Sequence, residues 1–139
     1  FIMYPSPFPN RVYFVLSLPR FIDMFGSAAY REIGSDPSLD ASVWTRAEAY
    51  DFVVSELEAI MPDLVAEGPY VASQNAAHFL LAKLYLNEGV FKGTGSANTA
   101  KVISHVDAIT GVSVAENYWD NFLVDNGDFE TVEKLHKYI

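Results

Sequence analysis

Gly93-Thr94-Gly95-Ser96-Ala97-Asn98 has the composition of a loop that could wrap a phosphate group through its backbone amides. The spacing argues against that chemistry. A Walker loop needs Gly-Lys-Ser/Thr at its end, and none follows here. A dinucleotide fingerprint needs a third glycine where Asn98 stands, and a strand rather than a helical segment before it. The stretch reads as an inter-helix loop. Asp125-Asn126-Gly127-Asp128 with Glu133 suggests a calcium loop, but placing Gly127 at the sixth position puts Phe122 and Val124 at the first and third ligand positions, where neither can donate oxygen. An Asx-rich turn is the favoured reading.

His78, His105 and His136 are too scattered for a metal pattern such as H-E-x-x-H. His78 is expected at a helix flank and His105 on a solvated face, with no metal site. Glycosidic chemistry would need two carboxyl groups flanking one bond, whereas most acidic residues fall on outward faces of predicted helices. Trp44, Tyr70, Tyr118 and Trp119 lie near predicted loops or helix ends. Their rings could stack on the flat C–H faces of a sugar, although capping the core is the favoured reading. No catalytic residue is assigned, no ligand-binding residue can be named, and no cofactor is implied.

Composition sets the outer bounds. The 139 residues are half apolar and 14% aromatic, enough for one packed domain and too short for two comfortable ones. Nine basic against 18 acidic residues give a net charge of −9, which argues against nucleic acid and anionic lipid as partners. The absence of cysteine removes disulfides, thiol nucleophiles and Cys-ligated metal sites. No run of about 18 apolar residues is present to form a membrane-spanning helix. The chain opens on Phe1 without a signal-peptide pattern, so it is expected to begin inside a longer protein.

The elements that must carry these residues read as helices. Pro5, Pro7 and Pro9 favour an extended start over residues 1–10. An apolar helix is expected from Arg11 to Phe25, kinked or restarted at Pro19 and stopped by Gly26. Residues 27–43 read as a loop. Thr45-Arg46-Ala47-Glu48 fits a capping box. The helix that follows has apolar residues at Ala47, Tyr50, Val54, Leu57, Ile60/Met61 and Leu64, and leaves Asp51, Glu56 and Glu58 to face water.

A second helix is expected from Ser73 to about Gly89, with Ala77, Leu80, Leu81, Leu84, Tyr85 and Val90 inward. Its Ala76, Ala77 and Ala82 allow a neighbouring helix to approach closely. A third spans about Ala97 to Thr110 on Ala100, Ile103, Val106 or Asp107, and Ile109, and Gly111 stops it. Tyr118–Phe122 could form one helical turn and residues 127–139 a final helix. Short turns between these helices suit antiparallel neighbours, the unit of tetratricopeptide-like solenoids, although the 34-residue repeat signature is missing.

Five pieces in order carry a resemblance. They are Arg20-Phe21-Ile22-Asp23-Met24-Phe25-Gly26; the helix from Arg46 to Leu64; Ser73 to Asn87, an A-A-x-x-L-L-A-x-x-Y-L-N pattern; Ala100 to Gly111; and Tyr118-Trp119-Asp120-Asn121-Phe122-Leu123-Val124-Asp125-Asn126. Together they resemble the SusD/RagB family over about residues 20–126. Pro19, which interrupts a helix usually continuous in that family, and the charged stretch 127–139 depart from it. So does the lack of a lipid-anchoring cysteine.

The resemblance implies an all-α fold of tetratricopeptide-like helical hairpins, a SusD-like α-α superhelix behind a loop-rich N-terminal segment. Residues 1–139 would form a single helical domain, a fragment of a longer protein. It also implies a non-catalytic, surface-exposed lipoprotein of the bacterial outer membrane that binds starch, another glycan or another nutrient. The ligand would pass to a SusC-like TonB-dependent transporter. Membrane association would come through a lipid anchor not present in this chain. The alternative is a free-standing helical-repeat module that binds a protein or peptide.

Overall fold

The computed structural model describes residues 2–3, 8–31, 35–36, 38–64, 72–112 and 119. Within them the chain forms β1 (Ile2–Met3), α1 (Phe8–Phe25), β2 (Ser27–Arg31), β3 (Ser42–Thr45), α2 (Arg46–Ile60), a 3-10 turn (Met61–Asp63), α3 (Gln74–Leu86), α4 (Glu88–Lys92) and α5 (Thr99–Ala108).

α1 starts three residues earlier than the prolines suggest, because Pro9 falls in the first turn, where its missing N–H costs no helical hydrogen bond. Pro19 lies inside the same helix and does not begin a second one. The inward stripe of Val12, Val15, Leu16 and Ile22 has helical spacing and keeps the element folded across the proline. Gly26, at φ 73°, turns the chain out of α1, and its N–H donates to the carbonyl of Ile22 at 2.7 Å.

The chain is mostly helical, but the all-α expectation is corrected by a three-stranded sheet in the order β1-β2-β3. β1 runs parallel to β2, pairing Ile2 with Tyr30 and Met3 with Arg31. β2 and β3 are antiparallel and pair Ser27 with Thr45, Ala28 with Trp44, Ala29 with Val43 and Tyr30 with Ser42. The expected loop over 27–43 therefore holds one strand and the start of another. Alanine-rich Ser-Ala-Ala-Tyr-Arg has weak strand propensity of its own. Pairing and cross-strand contact form the strand, including Tyr30 stacked on Trp44 with ring centroids 4.0 Å apart.

α2 begins as its sequence dictates. The Thr45 Oγ1 accepts from the Glu48 N–H at 3.3 Å, and Glu48 Oε2 accepts from the Thr45 N–H at 2.8 Å. Its buried face is Ala49, Tyr50, Val53, Leu57 and Ile60, with Ala47 and Val54 only half-buried. α1 packs on α2, α2 also meets α3 and α4, and α3 meets α5. The core lies where Val15, Ile22, Leu57, Leu80 and Leu81 converge.

α3 is capped by Ser73, whose Oγ accepts from the Ala76 N–H at 3.2 Å. It ends at Leu86, earlier than the expected Gly89, because Asn87 intervenes and α4 starts afresh. Val90 was expected inward but is 62% exposed. Ala76, Ala77 and Ala82 are buried, as close helix approach requires.

In α5, Ile103 and Val106 were also expected inward but are 56% and 51% exposed. The helix instead turns Val102, His105 and, just past its end, Ile109 toward partial burial. Adjacent helical positions point about 100° apart, so the face that docks is rotated by one residue from the apolar stripe. The expected turn at Tyr118–Phe122 (Trp119 apart) and the expected helix over 127–139 lie outside the described residues.

Candidate functional site

Among the described residues, a cluster of polar contacts forms where α3 meets α5. Asn75, His78 and Tyr85 lie three and seven residues apart on α3, along one face. Asn75 bonds to the backbone of Thr110, His78 meets His105, and the Tyr85 carbonyl accepts from the Asn98 N–H at 3.0 Å. Partners descend in number along α5 as they ascend along α3, so the two helices run antiparallel.

His78 Nδ1 and His105 Nδ1 are 2.9 Å apart, and both rings are half-buried. Burial pushes both imidazoles below their ordinary value of 6.5, and for His105 the proximity of His78 and Lys101 adds to the effect. The Tyr85 ring lies nearly parallel to His105, 10° between planes and 5.6 Å between centroids. Its hydroxyl donates to Glu58 Oε1 at 3.0 Å, and burial followed by this hydrogen bond raises the phenol to about 12. Lys101 Nζ lies 3.6 Å from Glu58 Oε1 and 5.6 Å from the centroid of the Tyr85 ring, over its face. Sequence reasoning placed His78 and His105 apart. They are 27 residues distant, and no local motif signals their meeting.

The aromatics are distributed as follows. Trp44 is half-buried between Tyr30 and Phe52, its ring 4.8 Å from that of Phe52, so it caps the core beside the sheet. Trp119 is 69% exposed. Tyr70, Tyr118 and His136, together with the Asp125–Glu133 segment, lie outside the described residues.

The glycine loop is tied down. Gly93 and Gly95 have φ of 70° and 73°, and the Gly95 N–H donates to the Gly89 carbonyl at 3.1 Å. A Cβ built on Gly89 would stand 2.3 Å from the Ser96 nitrogen. The loop thus closes against α4 and has the packing of a connection, as its sequence suggests. A small cleft of about 160 Å³ opens between α1 and α3–α4, edged by Arg20, Asp23, Lys83 and Asn87 over Leu84 and Phe91. Among the described residues no group of three or more His, Asp or Glu side chains is arranged to hold a metal, and no helix is long and apolar enough to cross a membrane.

No family model matches the chain. It is 33% identical over 116 residues to the starch-binding protein SusD of Bacteroides thetaiotaomicron, across 79% of this chain and 20% of that protein. The chain is SusD-like over this stretch, and it spans about a fifth of the length of the curated relative it matches.

Proposed function

We propose that this chain is the helical part of a non-catalytic protein that binds starch or another glycan at the bacterial outer-membrane surface. The observation that carries the reading is the 33% identity to a protein named for binding starch, extending over most of the chain. The ordered motifs from Arg20 to Asn126 point the same way. In this reading residues 1–139 form one helical domain of a longer, lipid-anchored protein. That protein passes its ligand to a SusC-like TonB-dependent transporter.

The antiparallel α3–α5 pair supports tetratricopeptide-like hairpins as the scaffold. Trp44 is engaged by Tyr30 and Phe52 and caps the core, so its ring is not free to stack on a sugar. In this reading ligand contact comes largely from loops outside this chain, which serves as scaffold and transporter-facing surface.

Isothermal titration of the full protein against a glycan panel that includes starch oligosaccharides tests the reading, together with copurification from membranes. Micromolar or tighter binding of one glycan class, and recovery with a transporter, are expected. No binding to any glycan combined with no transporter recovered would overturn it.

A further inference from the structure

We propose that the His78–His105 contact is a proton-operated latch, which holds α5 on α3 while at most one of the two rings is charged and releases the helix when both are. The Nδ1 atoms stand 2.9 Å apart and the ring centroids 5.2 Å apart, so the two nitrogens meet head-on across one proton. One ring donates its Nδ1–H, and the other accepts it and carries its own hydrogen on Nε2. The donor ring can take a further proton on Nε2 and still donate. The acceptor ring can be protonated only at Nδ1. A proton there removes the acceptor and sets two cationic N–H groups against each other. The docked pair therefore admits one proton and excludes the second.

Titratable groups face the pair from α2, α3 and α5. From α2, Glu58 accepts from the Tyr85 hydroxyl at 3.0 Å and lies 3.6 Å from the Lys101 ammonium. From α3, the Tyr85 ring lies along His105, and its phenol, pushed up to about 12, stays neutral in mild acid. From α5, Lys101 opposes charge on His105, whereas Glu58 favours it. Burial is the largest influence on both rings and holds them below 6.5. α5 has no fully buried residue to hold it once this contact fails. With the helix detached, both imidazoles return to water and to their ordinary value near 6.5. The detached state then takes up a proton that the docked state refuses. Docking is therefore strongest above about pH 6.5 and weakens as pH falls below it. One refused proton is worth a factor of ten per pH unit, about thirtyfold by pH 5. The latch is independent of the glycan-binding reading.

The test is hydrogen–deuterium exchange of the full protein at about pH 7.5 and about pH 5, corrected for the intrinsic pH dependence of amide exchange. Opening of α5 should rise about thirtyfold at the lower pH, while α1 and α2 keep their protection. In His78→Gln the neighbour of His105 no longer titrates, and the rise should shrink to a few-fold at most. Should that variant release α5 at both pH values, ¹⁵N imidazole spectra of the unaltered protein decide. They must show one donor and one acceptor Nδ1 at about pH 7.5. The two rings must then titrate in separate steps, the later one coinciding with the loss of α5 protection. No rise in α5 exchange, an equal rise in α2, an undiminished rise in His78→Gln, or two rings titrating together near 6.5 would each overturn the proposal.

Discussion

The side-chain amide of Asn75 engages both backbone polar groups of Thr110: its Nδ2 donates to the Thr110 carbonyl at 2.7 Å, and its Oδ1 accepts the Thr110 N–H at 3.3 Å. One side chain thus pins the end of α5 to the start of α3. Asn75→Ala should cost about 1–3 kcal/mol in urea unfolding, at about 0.5–1.5 kcal/mol for each of the two bonds. Asn75→Asp keeps the acceptor, loses the donor and should fall between.

The capping box at the head of α2 gives a pH-dependent prediction. The backbone hydrogen bond from Thr45, followed by the one from its hydroxyl, holds the Glu48 carboxyl below its usual 4.5. A carboxyl depressed in the folded state stabilises above its unfolded pKa, and that contribution is lost as pH falls through the folded one. Wild-type stability should therefore drop from about pH 5 downward more steeply than that of Glu48→Gln, as followed by acid unfolding. Thr45→Ala should cost about 1 kcal/mol at neutral pH.

Gly89→Ala should destabilise by about 1–3 kcal/mol in chemical denaturation, the usual range for overpacking. The obstacle is the Ser96 backbone, 2.3 Å from the added carbon, and not a side chain able to swing aside. An equivalent change at Gly93 meets no neighbour within 4 Å, and its cost is conformational, from a φ of 70°.

Tyr50→Phe should leave stability unchanged or raise it. The Tyr50 hydroxyl is buried without a hydrogen-bond partner among the described residues, and removing an unsatisfied polar atom while keeping the ring's shape relieves a desolvation cost. The ring's contacts with Phe91 and with the Lys92 ammonium, 5.4 Å and 5.0 Å away, would remain. Thermal melts of the two proteins compare them directly.

These sites differ in how readable they were. The Thr45–Glu48 box and the Ser73 cap are local signals within four residues, and the helices begin where they say. The sheet is different, because β2 acquires its identity from β3 some 15 residues on, and alanines at 28 and 29 carry no strand signal. The helical spacing of α5 is legible in its sequence, but its docking face is not. Periodicity reports where the apolar stripe lies, whereas the neighbour decides which stripe is covered. The same one-residue rotation that leaves Ile103 and Val106 outside brings His105 against His78, so that pair was hidden from sequence for the same physical reason.

α5 contains no fully buried residue. It is attached through Val102, Ile109, the His105 ring, the Lys101 contacts with Glu58 and Tyr85 and the bonds at its two ends, without a deep hydrophobic anchor. Such a helix can detach as a unit while α1, α2 and α3 remain packed. Its backbone amides should then trade hydrogen for deuterium well before those of α2, so that α5 opens ahead of it.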